Sequence, residues 1–92
     1  MARPLVSVLT PLYNAEGFID EVLSAVAAQT YHEIEHIVVD DGSTDGSAEV
    51  VERFVQSEPR ARLTLVRQGN EGEAAAVNRA LMLASGQYLV IV

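Results

Sequence analysis

A chain of 92 residues with 49% apolar content can fold as one compact domain and is too short for several. Its 13 acids face six basic residues, all arginine, and the resulting net charge of −7 argues against a nucleic-acid backbone or an anionic membrane as the main partner. Without cysteine there is no disulfide, thiolate metal site or thiol nucleophile, and the composition suits a reducing, cytoplasmic setting. The opening MARPLVSVLT meets a proline at once, and its apolar run is shorter than a signal or membrane segment needs.

In chain order, Leu5 to Thr10 reads as a buried strand stopped by Pro11. From Ala15 to Gln29 the period changes: Ile19, Val22, Leu23 and Val26 share one helix face, with Asn14 as the expected N-cap. Ile34 to Val39 is a second β-branched strand, and Asp45 to Ser57 a second helix whose stripe is Ala48, Val51 and Val55 with Phe54 beside it. Leu63 to Val66 is a third, less apolar strand suited to an edge. A third helix runs from Glu71 to Ser85, with Val77, Ala80, Leu81 and Ala84 at helical spacing, and Gly86 ends it before a fourth strand, Tyr88 to Val92.

This alternation predicts an α/β fold of Rossmann-like, three-layer α/β/α type around a mostly parallel four-stranded sheet. Right-handed crossovers favour the strand order 3-2-1-4, with the reversal between strands 1 and 4. In such sheets ligands bind beyond the strand C-termini at the reversal, where Thr10, Pro11, Asp40 and Asp41 all fall. A last strand, YLVIV, with nothing after it suggests the front part of a larger protein, or self-association through that exposed strand.

Adjacent carboxylates at a strand end point in opposite directions, so Asp40 and Asp41 are expected to divide the work. One faces a ligand, and the other turns back on the amides of GSTDGS; at this level either acid can equally be a turn former. Thr10 offers a hydroxyl to the same crevice and Tyr13 a ring that can lie against a planar base. The helix beginning near Glu16 offers free N–H groups for a phosphate, although the Glu16 carboxylate competes there. The stretch TPLYNAEG after strand 1 lacks G-x-G-x-x-G, and no P-loop exists in a chain without lysine. His32 and His36 bracket a strand start, are read as rim residues, and form no metal pair; no metal ligands and no catalytic residues are assigned within the chain.

The stretch VSVLTPLYNAEGFIDEVLSAVAAQTYHEIEHIVVDDGSTDGS closely resembles the N-terminal motif of family 2 glycosyltransferases of the GT-A fold. The later NEGEAAAVNRALMLASGQYLVIV resembles the segment that leads to that family's metal-binding D-x-D. The resemblance covers essentially residues 1–92 and implies the nucleotide-binding part of a GT-A domain, cut short before the D-x-D. It implies that Thr10 lines the base, Tyr13 flanks it, Asp41 accepts the imide N–H of uracil, and Asp40 shapes the strand-to-turn junction. Asn70 and Gly72 would shape the third βα loop, and Asn78 matches a recurrent position preceded here by Val77, where relatives often have a cation.

By the same resemblance the whole protein moves a sugar from a nucleotide diphosphate donor, a uridine one by preference, to a glycan or lipid hydroxyl by inverting displacement. Mn²⁺ or Mg²⁺, the catalytic base, the acceptor site and any membrane-associated helices belong to regions beyond these residues. The 92 residues alone are expected to be inactive. Competing readings are a flavodoxin- or receiver-like interaction module and a nucleotidyltransferase fragment. A receiver lacks support because strand 3 ends VRQGN and there is no lysine; a nucleotidyltransferase, because no glycine-rich basic loop follows strand 1.

Overall fold

The computed structural model describes residues 3–92; Met1 and Ala2, part of the expected domain and of the opening segment, lie outside them. Seven elements alternate: β1 (Val6–Leu12), α1 (Ile19–Ala27), β2 (Ile34–Asp41), α2 (Ser47–Ser57), β3 (Leu63–Gln68), α3 (Glu73–Leu83) and β4 (Tyr88–Ile91). The strands form one wholly parallel sheet in the order β3-β2-β1-β4, as expected. Side chains of successive strand residues leave on opposite faces, and both faces of β1 and β2 are apolar, so helices must cover both. On one face Leu9, Ile37 and Val39 pack against Ala76 and Ala80 of α3. On the other, Leu12 and Val38 meet Ile19 and Leu23 of α1 and Val51 of α2.

Several expected boundaries move, each for a local reason. β1 continues through Pro11 to Leu12. Pro11 shares the parity of Leu9, whose carbonyl faces β4 and accepts from the Val92 amide, and the β1–β4 ladder ends at Leu9 and Ile91. The missing proline donor therefore points where no strand pairs, and the strand is not broken. α1 begins at Ile19 rather than Ala15, with Phe18 at its cap and no side-chain capping bond. On α3 the buried stripe is Ala76 and Ala80, whereas Leu81 is exposed, so alanines rather than leucine face the sheet and let the helix approach closely.

At the opposite end of the sheet, the α3–β4 connection is pinned to the first residues of β1 and β2. Ser7, fully buried, donates to Glu35 Oε2 and accepts from the Gly86 amide at 2.8 Å, while the Ser85 amide donates to the same Glu35 oxygen at 2.6 Å. β4 stays open beyond this anchor, and the chain's last five residues, Tyr88 to Val92, are all exposed. No helix among the described residues is long and apolar enough to cross a membrane.

Candidate functional site

Strand parity sends the two acids of the DDG turn to opposite faces. Asp40 lies in register with Arg67, and Asp41 with Gln68, of the neighbouring strand β3. Same-face neighbours in adjacent strands touch, and they do so here. The Arg67 guanidinium sits 3.6 Å from Asp40 Oδ2, and Asp40 Oδ1 accepts from the Ser43 amide at 3.3 Å. Asp40 is thus the acid turned back on its own turn.

Asp41 does the opposite and reaches the β3–α3 loop. Its Oδ1 accepts from Gln68 Nε2 at 2.9 Å and from the Glu71 amide at 2.8 Å, and its Oδ2 accepts from the Gly72 amide at 2.9 Å. The last two amides belong to the entry of α3, where a carboxylate complements the positive end of the helix. The Gln68 side chain, with the Glu71 and Gly72 amides, holds the Asp41 carboxyl below its ordinary range against the opposing effect of desolvation. Gly42 fixes this arrangement. It takes φ +78, and a Cβ there would stand 2.9 Å from the Asn70 amide nitrogen, so the two loops meet backbone to backbone.

Between these loops and the end of β1 lies a cleft of about 360 Å³, lined by Pro11, Leu12, Tyr13, Asp41, Asn70, Gly72 and Glu73. That volume is at the lower end of small-molecule sites. Three of the expected site residues, Pro11, Tyr13 and Asp41, therefore converge, with Tyr13 half exposed at the rim. A second hollow, of about 200 Å³, lies at the other end of the sheet among the last turns of α1 and α2 and the first residues of β2 and β3. It is remote from the strand C-termini and from both acids.

Two expected residues are placed elsewhere. Thr10 does not line the cleft: its hydroxyl is buried and shares a 2.7 Å hydrogen bond with His36 Nε2. Thr10 has the parity of Leu12, which packs against α1 and α2, so its side chain points beneath those helices. His36 is correspondingly not a rim residue but buried, and burial lowers its pKa from 6.5 to about 4, leaving a neutral ring at neutral pH. Asp40, although at the right end of the right strand, is likewise absent from the cleft wall.

The expected phosphate amides near Glu16 are also committed. The Asn14, Ala15 and Glu16 amides donate to Ser43 Oγ, Ser47 Oγ and Asp45 Oδ2 at 2.9, 2.9 and 3.2 Å. In return Asn14 Oδ1 accepts from the Thr44 and Asp45 amides at 2.8 and 3.3 Å, and Glu16 Oε1 accepts from the Gly46 amide at 3.0 Å. Asn14, at φ +46, clamps the GSTDGS turn instead of capping α1. Ser47 donates to Asp45 through both its amide and its hydroxyl, and the hydroxyl bond leads in holding the Asp45 carboxyl below its ordinary range. The hydroxyl-rich, acid-rich turn is thus a rigid tie between two βα loops, with the cleft beside it. Gln68 was missed as a site neighbour, although the β2–β3 register would have found it; Asn70 and Gly72, expected to shape the β3–α3 loop, also line the cleft.

A parallel α/β sheet with a carboxylate-walled cleft beyond the C-terminal ends of β1 and β2 is an architecture in which open α/β sheets bind ligands. The chain belongs to glycosyl transferase family 2, whose family model matches residues 7–92. Among curated relatives, the glycosyltransferase GlyG of Streptococcus pneumoniae is 42% identical over 89 residues, covering 96% of this chain and 29% of that protein. The mannosyltransferase PcManGT of Pyrobaculum calidifontis, solved with GDP-Man and Mn²⁺, superposes with a TM-score of 0.90 at 38% identity, over 96% of this chain and 26% of that one. TarS of S. aureus in complex with UDP gives 0.82 at 32% identity, over 96% and 26%. The chain thus spans between a quarter and a third of the length of these relatives, and its sheet is of the GT-A type found in the solved ones.

Among the described residues no group of three or more histidine, aspartate or glutamate side chains is placed to hold a metal ion. Asp40 Oδ2 is buried without a hydrogen-bond partner, but it faces Arg67 rather than a second carboxylate. The residues in hand do not fit a divalent cation, and no chemical step is assigned through one.

Proposed function

We propose that this chain is the donor-nucleotide-binding part of an inverting glycosyltransferase that moves a sugar from a nucleotide diphosphate, preferably uridine, to a glycan or lipid hydroxyl. The observation that carries the reading is the placement of Asp41. Its carboxylate is held by three donors, charged at neutral pH, in the wall of a cleft otherwise formed by Pro11, Tyr13 and the β3–α3 loop. A fixed carboxylate accepts the ring N–H of a base, and charge-assisted bonds of this kind are about twice as strong as neutral ones. Tyr13 offers a face for the base to stack on, and Pro11 adds a rigid apolar part of the wall. Asp40 acts indirectly, keeping the GSTDGS turn in place.

The complexes of PcManGT with GDP-Man and Mn²⁺ and of TarS with UDP support a nucleotide-linked donor in this crevice. In this reading Mn²⁺ or Mg²⁺, the base that deprotonates the acceptor, and the acceptor site are supplied by residues outside the 92, which alone carry out no sugar transfer. Titration of UDP into the protein, followed by amide NMR, tests the site: the signals of Tyr13, Asp41, Asn70 and Gly72 are expected to move together. Shifts confined to the hollow near His36, or none at millimolar UDP, refute it.

A further inference from the structure

Asp41 has both oxygens engaged before any ligand arrives. A carboxylate offers about four lone-pair positions, two on each oxygen. Oδ1 already accepts twice, from Gln68 Nε2 and the Glu71 amide, and Oδ2 once, from the Gly72 amide. One position on Oδ2 remains. The bases of the two complexes differ in this respect, because uracil presents one ring N–H between two carbonyls, whereas guanine presents N1–H and the N2 amino group side by side. A guanine edge docks on a carboxylate by giving one bond to each oxygen.

We propose that Gln68 is a specificity-determining residue of this donor site: by filling Oδ1 of Asp41 it leaves a single acceptor position, which takes the one-donor edge of uracil and refuses the two-donor edge of guanine. The inference rests on the reading of Asp41 as the base acceptor. Gln68 is the only side chain among the three donors, so it is the one that a substitution can change without altering the backbone. Its place is set by register, opposite Asp41 on the adjoining strand. Guanine can bind only by displacing the Gln68 amide or by crowding both donors onto Oδ2 beside the Gly72 amide. PcManGT holds GDP-Man on a sheet of the same architecture, so the sheet itself does not exclude guanine and the choice falls to side chains around the acid.

The test is calorimetric titration of UDP and of GDP into the wild-type protein and into Gln68→Met and Gln68→Leu, neither of which can donate. Wild type is expected to prefer UDP, and both substitutions to narrow the UDP-to-GDP affinity ratio by about tenfold, the scale of one hydrogen bond to a charged group. A substitution that merely loosened the loop would weaken both nucleotides and leave the ratio where it was. An unchanged ratio in folded variants, or equal affinity of the wild type for both nucleotides, overturns the role of Gln68 while UDP binding keeps the site reading intact. Failure of the wild type to bind either nucleotide removes the site reading, and the inference with it.

Discussion

Substituting Gly42 by alanine probes the junction on which the cleft depends. At φ +78 an L-residue carries a backbone penalty of about 1–2 kcal/mol. The new methyl would also stand 2.9 Å from the Asn70 nitrogen and 3.3 Å from its Cα, and these are backbone atoms that cannot rotate away. Overpacking of that kind adds roughly 1–3 kcal/mol. The expected loss is about 3 kcal/mol, a large share of the roughly 5–14 kcal/mol that holds a domain of this size. It should lower the melting temperature by about 12–24 °C. Gly46→Ala is the control: its methyl meets only the Glu16 carboxylate, at 2.7 Å, which ends a flexible side chain, and its φ of −84 suits any residue. Urea denaturation followed by far-UV circular dichroism compares the two. If Gly42→Ala lies within about 0.5 kcal/mol of Gly46→Ala, the close meeting of the two loops is wrong.

Three further outcomes are expected. Asp41 has a folded pKa below its ordinary 3.8, so its contribution to stability is complete above that value and is lost as pH falls through the lower folded one; Asp41→Asn should flatten this acid limb of a stability-versus-pH curve, and an unchanged limb would contradict the bonds to Gln68, Glu71 and Gly72. His36, with its pKa lowered to about 4, takes up a proton more readily when unfolded, so stability should fall by about 3 kcal/mol as pH drops from 6.5 to 4 and no further below; its ring signals should titrate with a midpoint below 5, and a midpoint near 6.5 would place the ring in water. At Gly86 an added methyl would meet the Ser7 nitrogen at 2.7 Å and the Leu5 carbonyl at 2.8 Å. Gly86→Ala should therefore free β4, read as faster hydrogen exchange at Val90 and Val92, whose amides face β1, with β2 unaffected, and equal protection would remove the anchor from the account.

The element order, the all-parallel sheet and its strand sequence were legible because apolar runs of two periods alternate with turn residues, and crossover handedness leaves few topologies. The division of labour within the DDG turn was half legible. Period 2 requires the acids to part, but only the register with Arg67 and Gln68 decides which one meets the cleft. Thr10 was misplaced because its position at a strand end suggested a ligand, whereas its parity with Leu12 sends it under the helices to His36. His36 was taken for a rim residue from its place near a strand start, and its parity with Val38 carried the better information. Asn14 looked like a helix cap because Asn before an amphipathic run usually is one; here the hydroxyls and acids of GSTDGS take the amides a cap would serve, 29 to 32 residues away, which local sequence does not reveal.

A structure of the protein with UDP is the most direct measurement. The account predicts the uracil ring over the Tyr13 rim, with its N3 about 2.8–3.0 Å from Asp41 Oδ2 and the Gln68, Glu71 and Gly72 bonds preserved. A base bound away from Asp41, or an Asp41 carboxylate wholly enclosed by the β3–α3 loop with the nucleotide held by other groups, contradicts it.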